Sequence, residues 1–307
     1  MKMGFVATYT PQTAAFAAEA GFDGLEIFAG PDLGFNLDSL TDDDAKRLAE
    51  DAEKLGIRLL TLSLSPIHMD GDPSRRAEAN AYFVRAIKRC RLFGADTVVT
   101  NAWSDGAKPP AENIRAYKEV FSEYAKAAES ENVKIAIENC PHWLGYPVEI
   151  RNIGFSPEMW DAMFEAVPSE AIGLEFDPSH LVWLGIDYLR ALRDYGSRVY
   201  AFHAKDTEIL EDKRYKYGII GKQLLKKSEW DAGWWRYRMP GFGQIDWKGV
   251  FNALYESGFA GPMIIEHEDP VFGGDRSEDG SGLGPLTEKG LTLGLRYLRG
   301  LDILEAR

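Results

Sequence analysis

Carboxylates and a histidine stand at the ends of short apolar runs that read as β-strands. The four side chains of this kind are Glu138, Asp177, His203 and Glu266. Because neighbouring strands of a parallel sheet lie about 4.8 Å apart, side chains at their ends can converge on one ion. Three carboxylates and one imidazole suit Mn²⁺, with Mg²⁺ or Co²⁺ as alternatives, whereas Zn²⁺ is less favoured because thiolate and further imidazole donors are lacking. The sequence therefore predicts one divalent-metal site.

The charge of this group is a second argument for a metal. Three neighbouring carboxylates would concentrate three negative charges, which is strongly unfavourable without a cation. Any one of these residues alone is better explained as a loop cap or as the partner of a nearby Lys or Arg. Their occurrence on four successive strand ends favours a metal site.

Strand and helix patterns alternate along the whole chain. Such alternation indicates a parallel sheet built by crossovers, and eight strand and helix pairs close a barrel. We therefore predict a single α/β domain over residues 1–307, a (β/α)8 TIM barrel. The predicted strands are Lys2–Ala7, Gly24–Phe28, Arg58–Leu64, Thr97–Ala102, Lys134–Asn139, Gly173–Asp177, Val199–Ala204 and Gly261–His267.

The connections that follow strands are much longer than those that follow helices. The long ones are Asn139–Ser156, Lys205–Ile245 and Glu268–Gly284. Barrel enzymes build their sites from the loops after strands, so the asymmetry points to the carboxyl end of the barrel. The largest insertion, 205–245, follows strand 7 and predicts a substrate lid, a subunit contact or simple packing on the rim. Its aromatic residues are Tyr215, Tyr217, Trp230, Trp234, Trp235 and Tyr237.

Overall charge and composition restrict the partners. The net charge is −13, and Lys and Arg form no dense block, which argues against nucleic acid and anionic membranes as partners. Cys90 and Cys140 lie in a helical pattern and at a strand end, so we expect no disulfide and a reducing compartment. No stretch reaches the ~18 apolar residues of a membrane span. These features favour a cytoplasmic protein that binds a small molecule or a metal.

The chain resembles the xylose-isomerase-like TIM barrels of the sugar phosphate isomerase/epimerase family. That family includes ketose 3-epimerases, inosose dehydratases and, more remotely, AP endonucleases. The resemblance covers nearly the whole chain and depends on the order and spacing of five short motifs. They are GFDGLE at Gly21–Glu26, IAIEN at Ile135–Asn139, DPSH at Asp177–His180, FHAKD at Phe202–Asp206 and IIEH at Ile264–His267.

The resemblance implies roles for the four residues at the strand ends. Glu138, Asp177, His203 and Glu266 would ligate one divalent metal, and Glu138 and Glu266 would exchange protons with the substrate. A metal that holds a carbonyl and a neighbouring hydroxyl oxygen acidifies the C–H bond between them, and a carboxylate can then remove that proton.

Further residues are expected to contact the substrate. His180 matches the family histidine that contacts a substrate oxygen. Lys205 and Asp206 follow the histidine ligand and would reach the substrate or orient that ligand, although a surface ion pair is an equally good interpretation. His68 and Trp103 are expected to line the pocket.

His142 and Asn101 depart from the family pattern, whereas His267 belongs to one of the shared motifs. His142 lies close to Glu138 and would be a further general acid or base, or a packed loop histidine. His267 is expected to face the helices. Asn101 stands where the DNA-repair branch would use a histidine for a multi-zinc cluster, which further weighs against nucleic acid.

Three functions are compatible with these features. We expect a metal-dependent isomerase or 3-epimerase that enolises a keto or aldo sugar. The sequence leaves open whether that sugar carries a phosphate, although the absence of a basic phosphate cradle favours one without. The second hypothesis is a lyase acting on a 3-keto-glycoside or inosose, which His142 and the aromatic insertion favour. Residues 236–247 of the insertion resemble the large subunits of C-glycoside deglycosidases. The third is a non-catalytic sugar-binding barrel, which would have lost the pair Glu138 and Glu266. We expect a homo-oligomer, with a small partner subunit as an alternative.

Overall fold

Eight parallel strands close into a barrel in the order β1-β8-β7-β6-β5-β4-β3-β2. The computed structural model describes residues 1–105, 108–144, 149–219, 233–274 and 282–303. The closed barrel of eight parallel strands confirms the predicted TIM barrel. The barrel strands are β1 Met3–Ala7, β2 Gly24–Phe28, β3 Arg58–Ser63, β4 Thr97–Thr100, β5 Lys134–Glu138, β6 Ile172–Phe176, β7 Val199–Ala204 and β8 Met263–Ile265.

Helices surround the barrel, and several of them begin at a proline. Proline suits the first turn because its missing N–H would have no helical partner there. The helices are α1 Pro11–Ala20, α2 Asp42–Lys54, α3 Pro73–Arg89, α4 Pro110–Glu131, α5 Pro157–Ala166, α6 Pro178–Leu184, α7 Tyr188–Tyr195, α8 Glu211–Tyr217, α9 Trp247–Ser257 and α10 Pro285–Arg299. Within the described part of the chain, none of them is both long and apolar enough to cross a membrane.

The strands read as nearly continuous apolar runs because both of their faces are covered. One face points into the barrel and the other packs under the helices. Phe176 and Phe202, on neighbouring strands, stack with ring centroids 5.7 Å apart, and Phe202 also meets Trp247 of α9. This packing fixes the strand ends from which the polar loops start.

The fold differs from the sequence prediction at several places, two of which lie at the candidate site. Helix α6 was not predicted. It starts directly after Asp177, whose Oδ1 accepts a hydrogen bond from the Ser179 N–H at 2.8 Å and so caps the helix. Strand β8 is shorter than predicted, since it ends at Ile265 and leaves Glu266 in the following loop.

The described part of the insertion after β7 contains a small hairpin. Asp206–Ile209 pairs antiparallel with Trp235–Arg238, and α8 follows the first of these strands. We call the two paired segments the insertion hairpin. Residues 220–232, which include Trp230, lie outside the described residues.

Glycine is required at the start of β6 by the approach of the next strand. A Cβ on Gly173 would lie 2.2 Å from the carbonyl oxygen of Arg198 and 2.5 Å from the ring of Tyr200. We expect Gly173→Ala to lower the free energy of unfolding by about 1–3 kcal/mol, as overpacking of a core does. Urea unfolding followed by circular dichroism measures this change.

The matched control is Gly71→Ala. A Cβ there meets nothing within 4 Å and the backbone is not left-handed. It should leave stability unchanged or raise it by a few tenths of a kcal/mol. Equal destabilisation by both substitutions would contradict the proposed steric cause.

Candidate metal centre

Four side chains that could hold a metal ion converge at the carboxyl end of the barrel. Single donor atoms of Glu138, Asp177, His180 and Glu266 all lie within 4.8 Å of one another. Glu138 ends β5, Asp177 follows β6 and Glu266 follows β8. Three of the four predicted ligands thus form one group, which His180 joins from the first turn of α6.

His203, the fourth predicted ligand, borders the same group with one ring nitrogen. Its Nδ1 lies 3.4 Å from Oε1 of Glu138 and 3.3 Å from Oε2 of Glu266. In the described part of the chain this buried Nδ1 makes no hydrogen bond, and neither does Oδ2 of Asp177. In place of hydrogen bonds, both atoms have ionic neighbours at 3.2–3.4 Å, and this arrangement of buried donors fits a bound cation.

The other ring nitrogen of His203 faces two carboxylates inside the barrel. Nε2 lies 3.2 Å from Oε1 of Glu26 on β2 and 3.2 Å from Oε2 of Glu175 on β6. The Thr61 hydroxyl donates to Glu26 at 2.6 Å. A carboxylate behind a histidine ligand commonly fixes the ring's tautomer and orientation. The hydrogen bond with Glu26 therefore holds His203 with Nδ1 directed at Glu138 and Glu266.

Burial and neighbouring charges act in opposite directions on the pKa of His203 and in the same direction on that of Glu175. Burial favours the neutral imidazole, yet Glu175, Glu266 and Glu26 raise the pKa of His203 well above its usual value. Burial and the neighbouring Glu26 raise the pKa of Glu175 well above its usual value. The protein thus compensates part of the negative charge with protons.

Lys205 supplies a further positive charge at the same place. Its buried Nζ contacts Glu266, lies 3.2 Å from Oδ2 of Asp177 and donates to Glu268 at 2.8 Å. The ammonium also lies 4.3 Å from the ring centroid of Tyr237. Lys205 is therefore part of the centre and does not form a surface ion pair.

The insertion hairpin reaches the centre through Tyr237. The phenol oxygen lies 2.8 Å from Nδ1 of His180, whose Nε2 lies 3.2 Å from Oδ2 of Asp177. Trp235 packs against Tyr237 and stacks on Trp183 of α6 with centroids 4.7 Å apart. The hairpin thus forms one wall beside the centre.

Three asparagines, whose roles the sequence analysis missed, hold the ligands in place. The Asn101 amide donates to Oε2 of Glu138 at 2.9 Å. Asn139 clamps the backbone of Asp177, donating to its carbonyl at 2.8 Å and accepting from its N–H at 2.7 Å. Asn152 donates to the carbonyl oxygens of Glu138 and Cys140. Asn139, directly after a strand-end glutamate, was the one visible signal in the sequence.

His142 and Trp103 lie together beside the centre. Their rings stack with centroids 4.2 Å apart, and donor atoms of Glu138, Cys140 and His142 lie within 4.8 Å of one another. Catalysis by His142 and substrate binding by Trp103 remain predictions. The structure places both residues where such contacts can form.

His68 does not lie at the centre, in contrast to the expectation that it lines the pocket. It is fully buried, with Nδ1 2.9 Å from the Tyr124 hydroxyl and Nε2 2.7 Å from that of Thr100. Burial lowers the pKa of His68 to about 3. Both ring nitrogens are engaged, so we assign His68 to the core under α3 and α4.

His267 points toward helix α10, as expected. A Cβ on Gly290 of this helix would lie 2.9 Å from His267 Nε2. The side chain therefore faces away from the metal centre.

Asp206 neither reaches toward a substrate nor orients His203. Its buried carboxylate accepts hydrogen bonds from the backbone N–H groups of Thr207, Gly241 and Ile245 and from Nε1 of Trp247, at 2.8–3.1 Å. The carboxylate therefore ties the insertion hairpin to the segment that leads into α9. Asp206 therefore has a structural role, in contrast to the expectation.

Comparison with known proteins supports the similarity to xylose-isomerase-like barrels that the sequence motifs indicate. The family model described as xylose isomerase-like TIM barrel matches residues 14–296. An inosose dehydratase of Clostridium tetani is 28% identical over 49% of this chain and 46% of its own length. An inosose isomerase of Bacillus velezensis is 26% identical over 82% of this chain and 81% of its own length.

The fold also recurs in a solved structure that contains a metal. The crystal structure of IOLI protein with a binding zinc atom superposes with a TM-score of 0.70, covering 99% of this chain and all of that one, at 21% identity. At this identity the likeness concerns the fold.

The four donors around Asp206 lead to a stability prediction. Asp206→Ala leaves buried N–H groups without an acceptor, so we expect the free energy of unfolding to fall by about 3 kcal/mol or more. The matched control is Asp194→Ala, whose side chain is 58% exposed and pairs only at 3.6 Å with Arg190. It should change stability little. Denaturant unfolding of both variants tests this, and a similar small loss in each would contradict the anchoring role.

Proposed function

Since the chain belongs to the xylose isomerase-like TIM barrel family, we propose that it is a divalent-metal-dependent sugar isomerase or epimerase. The proposed reaction begins with removal of a proton next to the substrate carbonyl. The relatives act on inososes by name, so an unphosphorylated keto sugar or inosose is the proposed substrate class.

One observation carries this proposal. Glu138, Asp177 and Glu266 converge with His203 Nδ1 at the carboxyl end of the barrel, and buried atoms among them make no hydrogen bond in the described chain. These residues would hold the metal. When bound, the metal would polarise the substrate carbonyl and acidify the adjacent C–H bond.

In the proposed reaction, two carboxylates carry out the proton transfers. Oε1 of Glu138 and Oε2 of Glu266 lie 3.4 and 3.3 Å from His203 Nδ1. In an epimerisation, one carboxylate removes the proton and the other returns one to the opposite face. The Asn101 amide on Glu138 and the Lys205 ammonium on Glu266 fix their directions.

Cationic and hydroxyl-binding groups complete the proposed site. Lys205 is positioned to stabilise the negative charge that develops on the substrate oxygen. His180, held by the Tyr237 hydroxyl, is positioned to contact a substrate hydroxyl. Burial of both groups strengthens these interactions, because little water competes with them.

We propose Mn²⁺ as the native metal, because the donors are mainly carboxylate oxygens. Mg²⁺ and Co²⁺ have similar preferences. The zinc atom in the structurally similar IOLI protein makes Zn²⁺ the necessary comparison in any metal titration.

Elimination is the second candidate reaction. The same proton is removed, but the electron pair then expels a leaving group from the neighbouring carbon. The similarity to an inosose dehydratase and the position of His142 near Glu138 favour this candidate. His142 would protonate the leaving group in that reaction.

The proton transfers can be tested in D₂O. Mn²⁺-loaded protein should exchange a substrate C–H for deuterium with an inosose or a ketose, as measured by NMR. Glu138→Gln and Glu266→Gln should each slow exchange about 10²- to 10⁴-fold. Metal content is measured in the same samples, so that loss of a ligand is separated from loss of a base.

The control is Glu123→Gln, which alters an exposed surface carboxylate. It should exchange at the parent rate. The proposal would be overturned if loaded parent protein exchanged no proton with any inosose, ketose or 3-keto-glycoside.

The carboxylates behind His203 predict an effect on metal affinity. Glu26→Ala should weaken Mn²⁺ binding about 10- to 100-fold, as loss of such a partner does in other metal proteins. His203→Ala should weaken it further, whereas Glu26→Gln should retain part of the affinity because its amide oxygen still accepts from the ring. Calorimetric titration measures these constants. Unchanged affinity in both alanine variants would contradict the ligand assignment.

A further inference from the structure

We propose that the loop after β5 forms a second metal site, on Cys140, His142 and Glu138, that binds a softer cation such as Zn²⁺. One donor atom from each residue lies within 4.8 Å of the other two. Cys140 is a free cysteine and partly buried. The site adds to the carboxylate-rich centre and shares Glu138 with it.

The donors of this loop differ in kind from those of the first centre. A thiolate, an imidazole and a carboxylate together form the mixed sulfur, nitrogen and oxygen set that Zn²⁺ prefers. The first centre offers mainly carboxylate oxygens, which favour harder ions. The two sites are therefore expected to select different metals from a mixture.

The His142 side chain is fixed in position and has a ring nitrogen available for a ligand. Its Nε2 is buried and makes no hydrogen bond to any described residue. The ring is fixed by stacking on Trp103 at a centroid distance of 4.2 Å. The backbone at His142 has a φ of 47°, a left-handed conformation that is costly for a residue with a Cβ. A metal bond would compensate this cost.

The loop backbone is also fixed on the side of Cys140. The buried Asn152 amide donates to the carbonyl oxygens of Glu138 at 2.7 Å and Cys140 at 2.6 Å. Asn152 Oδ1 accepts from the N–H groups of Ala102 and Gly154, both at 3.0 Å. One side chain thus positions the segment that carries the ligands, as preorganised metal sites require.

Occupation of this site would change the role of His142. A nitrogen that binds a metal cannot carry a proton, so the second site competes with the role of His142 in elimination. Three protein ligands leave a fourth position for water or substrate, the pattern of catalytic zinc sites.

Cobalt titration of the metal-free protein tests the second site. Co²⁺ bound to a thiolate gives a charge-transfer absorption in the near ultraviolet, which oxygen and nitrogen ligands do not give. The parent should show this band, and zinc-loaded parent should hold one equivalent more metal than Cys140→Ser by elemental analysis. His142→Ala should also lose the extra equivalent and most of the band. Cys90→Ala, which alters the cysteine buried in the core, is the matched control and should keep both.

A variant of the first centre separates this proposal from the proposed function. His203→Ala should lose metal from the first centre but keep the thiolate band. Absence of the band in the parent, or its persistence in Cys140→Ser, would overturn the second site. The second site would also be overturned if the parent bound a single ion and the thiolate band disappeared in His203→Ala, because Cys140 would then belong to the first centre. Melting temperatures and circular dichroism identify any variant that has not folded.

Discussion

Concentrated negative charge at one end of the barrel is the constraint on which the rest of the structure depends. Glu138 and Glu266 face one nitrogen of His203 and lie close to Asp177, while Glu26 and Glu175 face the other nitrogen. Buried carboxylates are tolerated only when they are paired, protonated or bound to a cation. The imidazole therefore joins two layers of carboxylates, one inside the barrel and one at its mouth, and the surrounding loops serve to keep those layers in register.

The insertion after β7 is tied to this charge by two further buried aspartates. Asp206 gathers backbone N–H groups from both ends of the insertion. Asp269, in the loop after β8, accepts from the Arg238 side chain at 3.0 Å and the Met239 N–H at 2.9 Å. The hairpin is consequently fixed to two strand ends, which allows Tyr237 to hold His180 firmly.

The barrel can be predicted from the sequence because strand and helix patterns alternate locally. The group of candidate ligands can be predicted because parallel strands end at one edge of the sheet. These sequence patterns could not predict that His68 is a core residue, since only the fold shows that the hydroxyl groups of Tyr124 and Thr100 contact its two ring nitrogens. Glu175 was hidden within an apolar run, although its spacing of two from Asp177 places both on one face of the strand. Asp206 was misassigned because its partners lie far away in the sequence.

Asp177 uses its two carboxylate oxygens for different purposes. Oδ1 caps α6, whereas Oδ2 faces His180 and Lys205. Each residue added to a helix rotates the following side chain by about 100°. One residue inserted between Asp177 and His180 would therefore turn the imidazole away from the carboxylates without disturbing any strand. An insertion or deletion at the start of this short helix would thus break the contact between His180 and Asp177.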